Sequence, residues 1–151
     1  MAANAWIPYD IFTQQIGREG HSLQATDVIK IALLDSGYTP ARTTDVTFSV
    51  IDADELATAN GYTAGGLAVA TTWNTAASIL TFDGVDPLWN ATGAGITCRY
   101  AVAYNSSAAG AVNDLIAYCL MDSTPADVTA IAGSPLVLTL AALGILTIQD
   151  P

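Results

Sequence analysis

The stretch Ile96-Thr97-Cys98-Arg99-Tyr100-Ala101-Val102-Ala103-Tyr104 (ITCRYAVAY) decides the fold class. With a period of two, Ile96, Cys98, Tyr100, Val102 and Tyr104 fall on one face. Thr97, Arg99, Ala101 and Ala103 fall on the other. That alternation predicts one long, half-buried strand. Upstream, residues 67–73 alternate large and small, residues 79–82 do so more weakly, and Asp83-Gly84 reads as a turn between apolar runs. Residues 28–34 (VIKIALL) read as a buried strand stopped by Asp35-Ser36-Gly37. Downstream, residues 115–121, 135–141 and 145–148 read as further strands, and residues 105–110 as a small polar loop. Seven or eight short strands separated by turn signals imply a mainly β, single antiparallel β-sandwich or jelly-roll-like domain over residues 28–151.

Two regions depart from this pattern. In residues 1–27, Pro8 sits where a first helical residue belongs, Tyr9, Phe12 and Ile16 recur at helical spacing, and Gly17 can end the turn. This predicts an N-terminal arm with a short helix, followed by a polar loop over residues 18–27. In residues 46–56, Val46-Thr47-Phe48-Ser49-Val50-Ile51 favours a strand through β-branching, whereas Asp52-Ala53-Asp54-Glu55-Leu56 favours a helical turn with acids near its start.

The composition narrows the function. The chain has 151 residues, enough for one domain with its own core. It is 52% hydrophobic and 12% charged, which argues against disorder and suits a protein with much of its surface covered, by itself or by partners. Four Lys and Arg against fourteen Asp and Glu give a formal charge of −10. Nucleic-acid binding needs a basic footprint that four scattered cations do not supply, and an anionic membrane is disfavoured likewise. The first residues carry no signal-peptide pattern. Residues 128–149 contain no charge and match the length of a bilayer span, but Gly133-Ser134-Pro135 and Gly144 break them, so two apolar strands joined by a turn fit better.

Candidate chemistry is sparse. His21 is the only histidine and lies in the polar loop segment, with nothing to bring it to Cys98. Asp52, Asp54 and Glu55, and separately Asp83 and Asp86, lack the ligand spacing of a calcium loop and read as helix-start and turn acids. Cys98 and Cys119 have neither CxxC spacing nor a zinc partner set. They read as two buried thiols, with pairing left open. Trp6, Trp73 and Trp89 read as core or interface packing before a sugar-binding groove.

The segment Ala59-Asn60-Gly61-Tyr62-Thr63-Ala64-Gly65-Gly66 looks at first like a phosphate loop. It lacks the lysine of GxxxxGK[ST] and the spacing of GxGxxG, and a strand rather than a helix follows it. A steric reading fits: Asn60-Gly61 supplies positive φ for a turn, and Gly65-Gly66 lets the chain bend into the next strand. Gly61, Gly65 and Gly66 are therefore expected as a structural hinge. The pair GYTP (37–40) and GYTA (61–64) is too short to count as an internal repeat.

The ordered series VIKIALL (28–34), GYTP (37–40), an acidic stretch, GYTAGG (61–66), DPLW (86–89), ITCRYAVAYN (96–105) and GILTI (144–148) resembles a family of small tailed-bacteriophage virion proteins. The resemblance covers about residues 6–148. It implies a non-enzymatic structural protein of the particle, a head decoration or cement protein on the capsid surface, made in the bacterial cytoplasm. Implied partners are the major capsid protein, other virion proteins and its own copies, as a trimer or alternatively a dimer. The resemblance brings no catalytic residues, cofactor or metal. The two cysteines and the alanine-rich strands depart from the family and bear on its oligomeric state. Alternatives are a tail, adaptor or fibre-base role, or a carbohydrate-binding module or unrecognised hydrolase. The expected docking surface is the N-terminal segment, with Trp6, Ile7, Tyr9 and Phe12.

Overall fold

The run VIKIALL has no continuous polar face, which requires a strand covered on both sides. The computed structural model, which describes residues 4–16, 23, 27–107, 113–140 and 144–149, contains that strand. In chain order the first elements are β1 (Ile7–Pro8), α1 (Asp10–Ile16), β2 (Ile29–Leu34), β3 (Leu67–Val69), β4 (Thr71–Ala76) and β5 (Ile79–Gly84). The remainder are β6 (Leu88–Asn90), β7 (Ile96–Cys98), β8 (Tyr100–Asn105), β9 (Asp114–Leu120), β10 (Val128–Ala130), β11 (Pro135–Val137) and β12 (Leu146–Gln149). The domain is mainly β, with several antiparallel sheets and one short α-helix in a sandwich-like arrangement.

A five-stranded sheet, ordered β1-β9-β8-β2-β3, separates two cores. Ile29, Ile31 and Leu33 of β2, Ala101 and Ala103 of β8, and Cys119 of β9 face the larger core. Ala32 and Leu34, Val102 and Tyr104, and Leu115 face the smaller one, which Tyr9, Tyr38, Phe48 and Ile51 close from outside. Between β8 and β9, Ala103 pairs with Ala117 and Tyr104 with Leu115, so Ile116 is an extra residue. This bulge turns Ile116 and Ala117 together into the larger core. Three small sheets cover the larger core: β10-β7, β11-β6 and β12-β5-β4.

The expected long strand at residues 96–104 is two strands in two sheets. The chain bends at Arg99, whose N–H donates to the Leu34 carbonyl (2.9 Å) and whose carbonyl accepts from Met121 N–H (2.9 Å). The bend changes the phase of the alternation. Ile96 and Cys98 share the larger core with Ala101 and Ala103, while Tyr100, Val102 and Tyr104 lie on the other side. Residues 67–73 are likewise divided, at Ala70, into β3 of the large sheet and β4 of a small one. Bends of this kind make the corners at which a chain passes from one packed sheet to another.

Other sequence expectations change too. Asp83-Gly84 is no turn: both residues belong to β5 and pair with Thr72 and Thr71. The β4–β5 hairpin turns instead at Ala77 and Ser78, both with positive φ (50° and 64°). Residues 46–56 form two 3₁₀ turns, Phe48–Val50 and Asp52–Asp54, because Phe48 and Ile51 anchor the segment against the sheet. Residues 128–149 contribute β10, β11 and β12 to three different sheets, rather than two strands joined by a turn. No helix among the described residues is long and apolar enough to cross a membrane. The helix begins at Asp10, two residues later than expected, because Ile7–Pro8 pairs with Tyr118 and Ala117 as a sheet edge. The segment expected as an arm is thus built into the main sheet. Gly17, His21 and most of the loop expected at 18–27 lie outside the described residues.

Candidate functional site

The glycine segment is held against the protein's own backbone. Asn60 and Gly61 take positive φ (55° and 91°), and Ala59 and Tyr62 exchange backbone hydrogen bonds of 3.1 and 2.9 Å across them. A side chain on Gly61 would run into the Asn90 carbonyl of β6, and one on Gly66 into the Ile31 carbonyl of β2. Gly65 differs: its φ is 88°, but a Cβ there would approach only Lys30 Nζ and Tyr104 Oη, at 3.8 and 3.9 Å. The close approaches at Gly61 and Gly66 are filled by the fold itself, so the segment is a backbone turn leading into β3.

Two buried tyrosines secure this region and its counterpart by the same device. Tyr62 Oη donates to Glu55 Oε1 (2.6 Å), and the same oxygen accepts from Gly65 N–H (2.6 Å). Tyr38 Oη donates to Asp45 Oδ2 (2.9 Å), and that oxygen accepts from Ala41 N–H (2.8 Å). In both GYT segments the acid lies seven positions from the tyrosine and binds the N–H three positions after it. Each carboxylate ties a tyrosine to its own turn. Tyr62 Oη also accepts from Leu33 N–H (3.0 Å), satisfying β2 beyond the end of β3. Tyr104, stacked on Phe48, donates to the Gly65 carbonyl (2.7 Å). Tyr9 shares its hydroxyl with Tyr38. Burial raises Tyr9, Tyr38 and Tyr62 well above the ordinary tyrosine value and Tyr104 to about 12. Sequence reasoning overlooked Tyr38, Asp45 and Tyr104; the repeated GYT was the signal for the first two.

The N-terminal segment only partly fits a docking surface. Tyr9 and Phe12 are each 0% exposed, Tyr9 in the smaller core and Phe12 in the larger. Both are corrected from docking residues to core residues, because opposite faces of the chain entering α1 meet opposite cores. Trp6 is half-buried against the larger core, and Ile7 is 39% exposed. Ile7 borders a shallow groove of about 530 Å³, lined also by Asn4, Ala5, Pro40, Tyr100, Tyr118 and Leu120. The outer edge at Pro8 is occupied: Arg42 Nε donates to its carbonyl (3.0 Å) while Arg42 Nη2 pairs with Asp10 (2.9 Å).

The remaining candidates have structural roles. Cys98 and Cys119 are free and buried; burial pushes Cys98 up to about 12 and Cys119 also upward. Asp86 accepts from Leu140 N–H (2.8 Å) and Asp83 from Gly84 N–H (2.8 Å). Among the described residues no three His, Cys, Asp or Glu gather as a metal site. Trp89 is buried and lies beside Tyr62, whereas Trp73 stacks obliquely on Phe82 and donates to the Leu23 carbonyl (3.0 Å). They form no shared aromatic face. No protein-family model, curated protein or solved structure matches the chain.

Proposed function

We propose that the chain is a non-enzymatic structural component of a tailed-bacteriophage particle, a decoration protein that reinforces the head through contacts to the major capsid protein and to its own copies. The observation that carries this reading is the use made of the motif series from residue 28 to residue 148. Both GYT segments are carboxylate-locked turns, DPLW supplies a loop lock and a core tryptophan, and ITCRYAVAYN carries the chain between sheets. The series that resembles virion proteins therefore encodes a scaffold.

The surface supports the same reading. Ile7, Val28, Val85, Leu88 and Ile131 are exposed on a chain with only four Lys and Arg. A charge-poor, apolar-spotted module gains strength from symmetric repetition on a shell, where many weak contacts act together. Electron microscopy of purified particles bearing a labelled copy tests the proposal. The expected result is regular label over the head; label confined to the tail, or none on particles, overturns it.

A further inference from the structure

The edges of β3 and β6 line one groove without pairing across it. In β2, the Leu33 N–H donates to Tyr62 Oη (3.0 Å) and the Leu33 carbonyl accepts from Leu56 N–H (3.0 Å), so its odd-numbered residues address the side on which β3 lies. The Val28 carbonyl accepts from Ser106 N–H (2.8 Å), which sets the even ones toward β8. Ile29 with Val69 and Ile31 with Leu67 are therefore the hydrogen-bonded pairs, and Ala68 turns its N–H and carbonyl outward. The same alternation runs through β6. Ala91 N–H donates to the Ser134 carbonyl (3.2 Å) and the Pro87 carbonyl accepts from Leu138 N–H (3.1 Å), so Leu88 directs its own groups away from β11. Neither outward pair has a partner among the described residues. Ala68 and Leu88 line a groove of about 300 Å³, with Leu67 and Ala70 on the first wall and Val85 and Pro87 on the second.

Pro87 keeps the groove open. The walls meet where Val85 N–H donates to the Ala70 carbonyl (3.0 Å), continuing the register that pairs Thr71 with Gly84. At that register Ala68 would next bond to Pro87. Pro87 has no N–H and its carbonyl is taken by Leu138, so the ladder stops and the walls part. The chemistry left on both walls is that of a peptide backbone, donor beside acceptor, and it selects an extended polypeptide as occupant. A segment bonded to both walls needs both of its edges free. Every described strand of this chain is already paired along one edge, so a strand of a second copy cannot bond to both. An extended arm of a different protein can. Exposed Leu67, Val85 and Leu88 offer it apolar contacts, and exposed Asp86 disfavours an acidic one.

We propose that the groove between β3 and β6 takes up an extended, non-acidic arm of a partner protein as an added strand. The inference rests on the proposed function only in placing that partner in the particle. The probe is an array of overlapping short peptides covering the other proteins of the particle and this chain itself. A non-acidic peptide from another protein should bind the labelled chain and shift the amide resonances of Ala68 and Leu88. Ala68→Pro removes an N–H that the fold does not use, so it should leave the urea midpoint nearly unchanged while weakening the peptide about tenfold or more. Ala68→Val, which keeps the N–H, should bind as the wild type does. N-methylating alternate amides of the peptide, in either phase, should also weaken binding, because successive residues address opposite walls. The groove assignment is overturned if no peptide binds, if only peptides of this chain bind, or if Ala68→Pro or the methylated peptides bind undiminished. A chain that decorates heads yet binds no peptide refutes the groove alone, and one that binds a peptide but is absent from particles refutes the function alone.

Discussion

At the scale of single residues, the adjacent glycines 65 and 66 do different work. Both have positive φ, so any side chain there incurs about 1–2 kcal/mol of backbone strain. Only Gly66 also faces a carbonyl, that of Ile31, which sits in a strand paired on both sides and cannot withdraw. Gly65→Ala is therefore expected to lose about 1–2 kcal/mol and Gly66→Ala distinctly more, about 3 kcal/mol or above, in urea unfolding. Equal losses would show that conformation alone, without the close approach, requires these glycines. The sequence identified the hinge from glycine density, but the difference between neighbours depends on Ile31, more than thirty positions earlier.

At the scale of elements, the β4–β5 hairpin turns where no sequence signal pointed. Ala77 and Ser78 both occupy the left-handed region, the conformation of a two-residue type I′ turn that Asn-Gly adopts with least strain. The double change Ala77→Asn, Ser78→Gly should raise stability by about 1 kcal/mol, read as a higher urea midpoint at unchanged slope. A lowered midpoint would contradict the turn. The pairing from Thr71–Gly84 to Ala76–Ile79 overrides the local preference, so that Asp83-Gly84, the better turn dipeptide, is drawn into a strand. The same dominance of partners over pattern breaks the nine-residue alternation at Arg99. Ala101 and Ala103, expected on the face opposite Ile96 and Cys98, share the larger core with them instead, where close packing suits small side chains.

At the scale of the whole molecule, buried phenols and thiols link stability to alkaline pH. Tyrosines 9, 38, 62 and 104 are raised from 10.0, chiefly by desolvation, and Cys98 is raised from 9.0 to about 12 by the same cause. The fold holds each group protonated. Below pH 9 folded and unfolded chains bind these protons equally, so the contribution is fully present and constant. From pH 9 for Cys98, and from pH 10 for the tyrosines, the unfolded chain releases protons first. Stability then falls, by about 1.4 kcal/mol per pH unit for each group. Urea unfolding from pH 8 to 12 should show a flat region, then a decline that steepens above pH 10. A curve still flat at pH 11 would contradict the burial of these hydroxyls.

The sequence by itself determined that the chain is mainly β, where most strands lie, and that the glycine segment carries a turn and leads into a strand. These follow from side-chain periodicity and backbone sterics, which act over a few residues. Only the tertiary structure decided which strands share a sheet, where Ala70 and Arg99 turn the chain from one sheet to another, and that Tyr9 and Phe12 are core rather than surface. It also joined Glu55 to Tyr62 and Asp45 to Tyr38 in matching locks. Those outcomes depend on which distant backbone groups and apolar faces remain to be paired once the large sheet has formed, and local pattern carries no record of that.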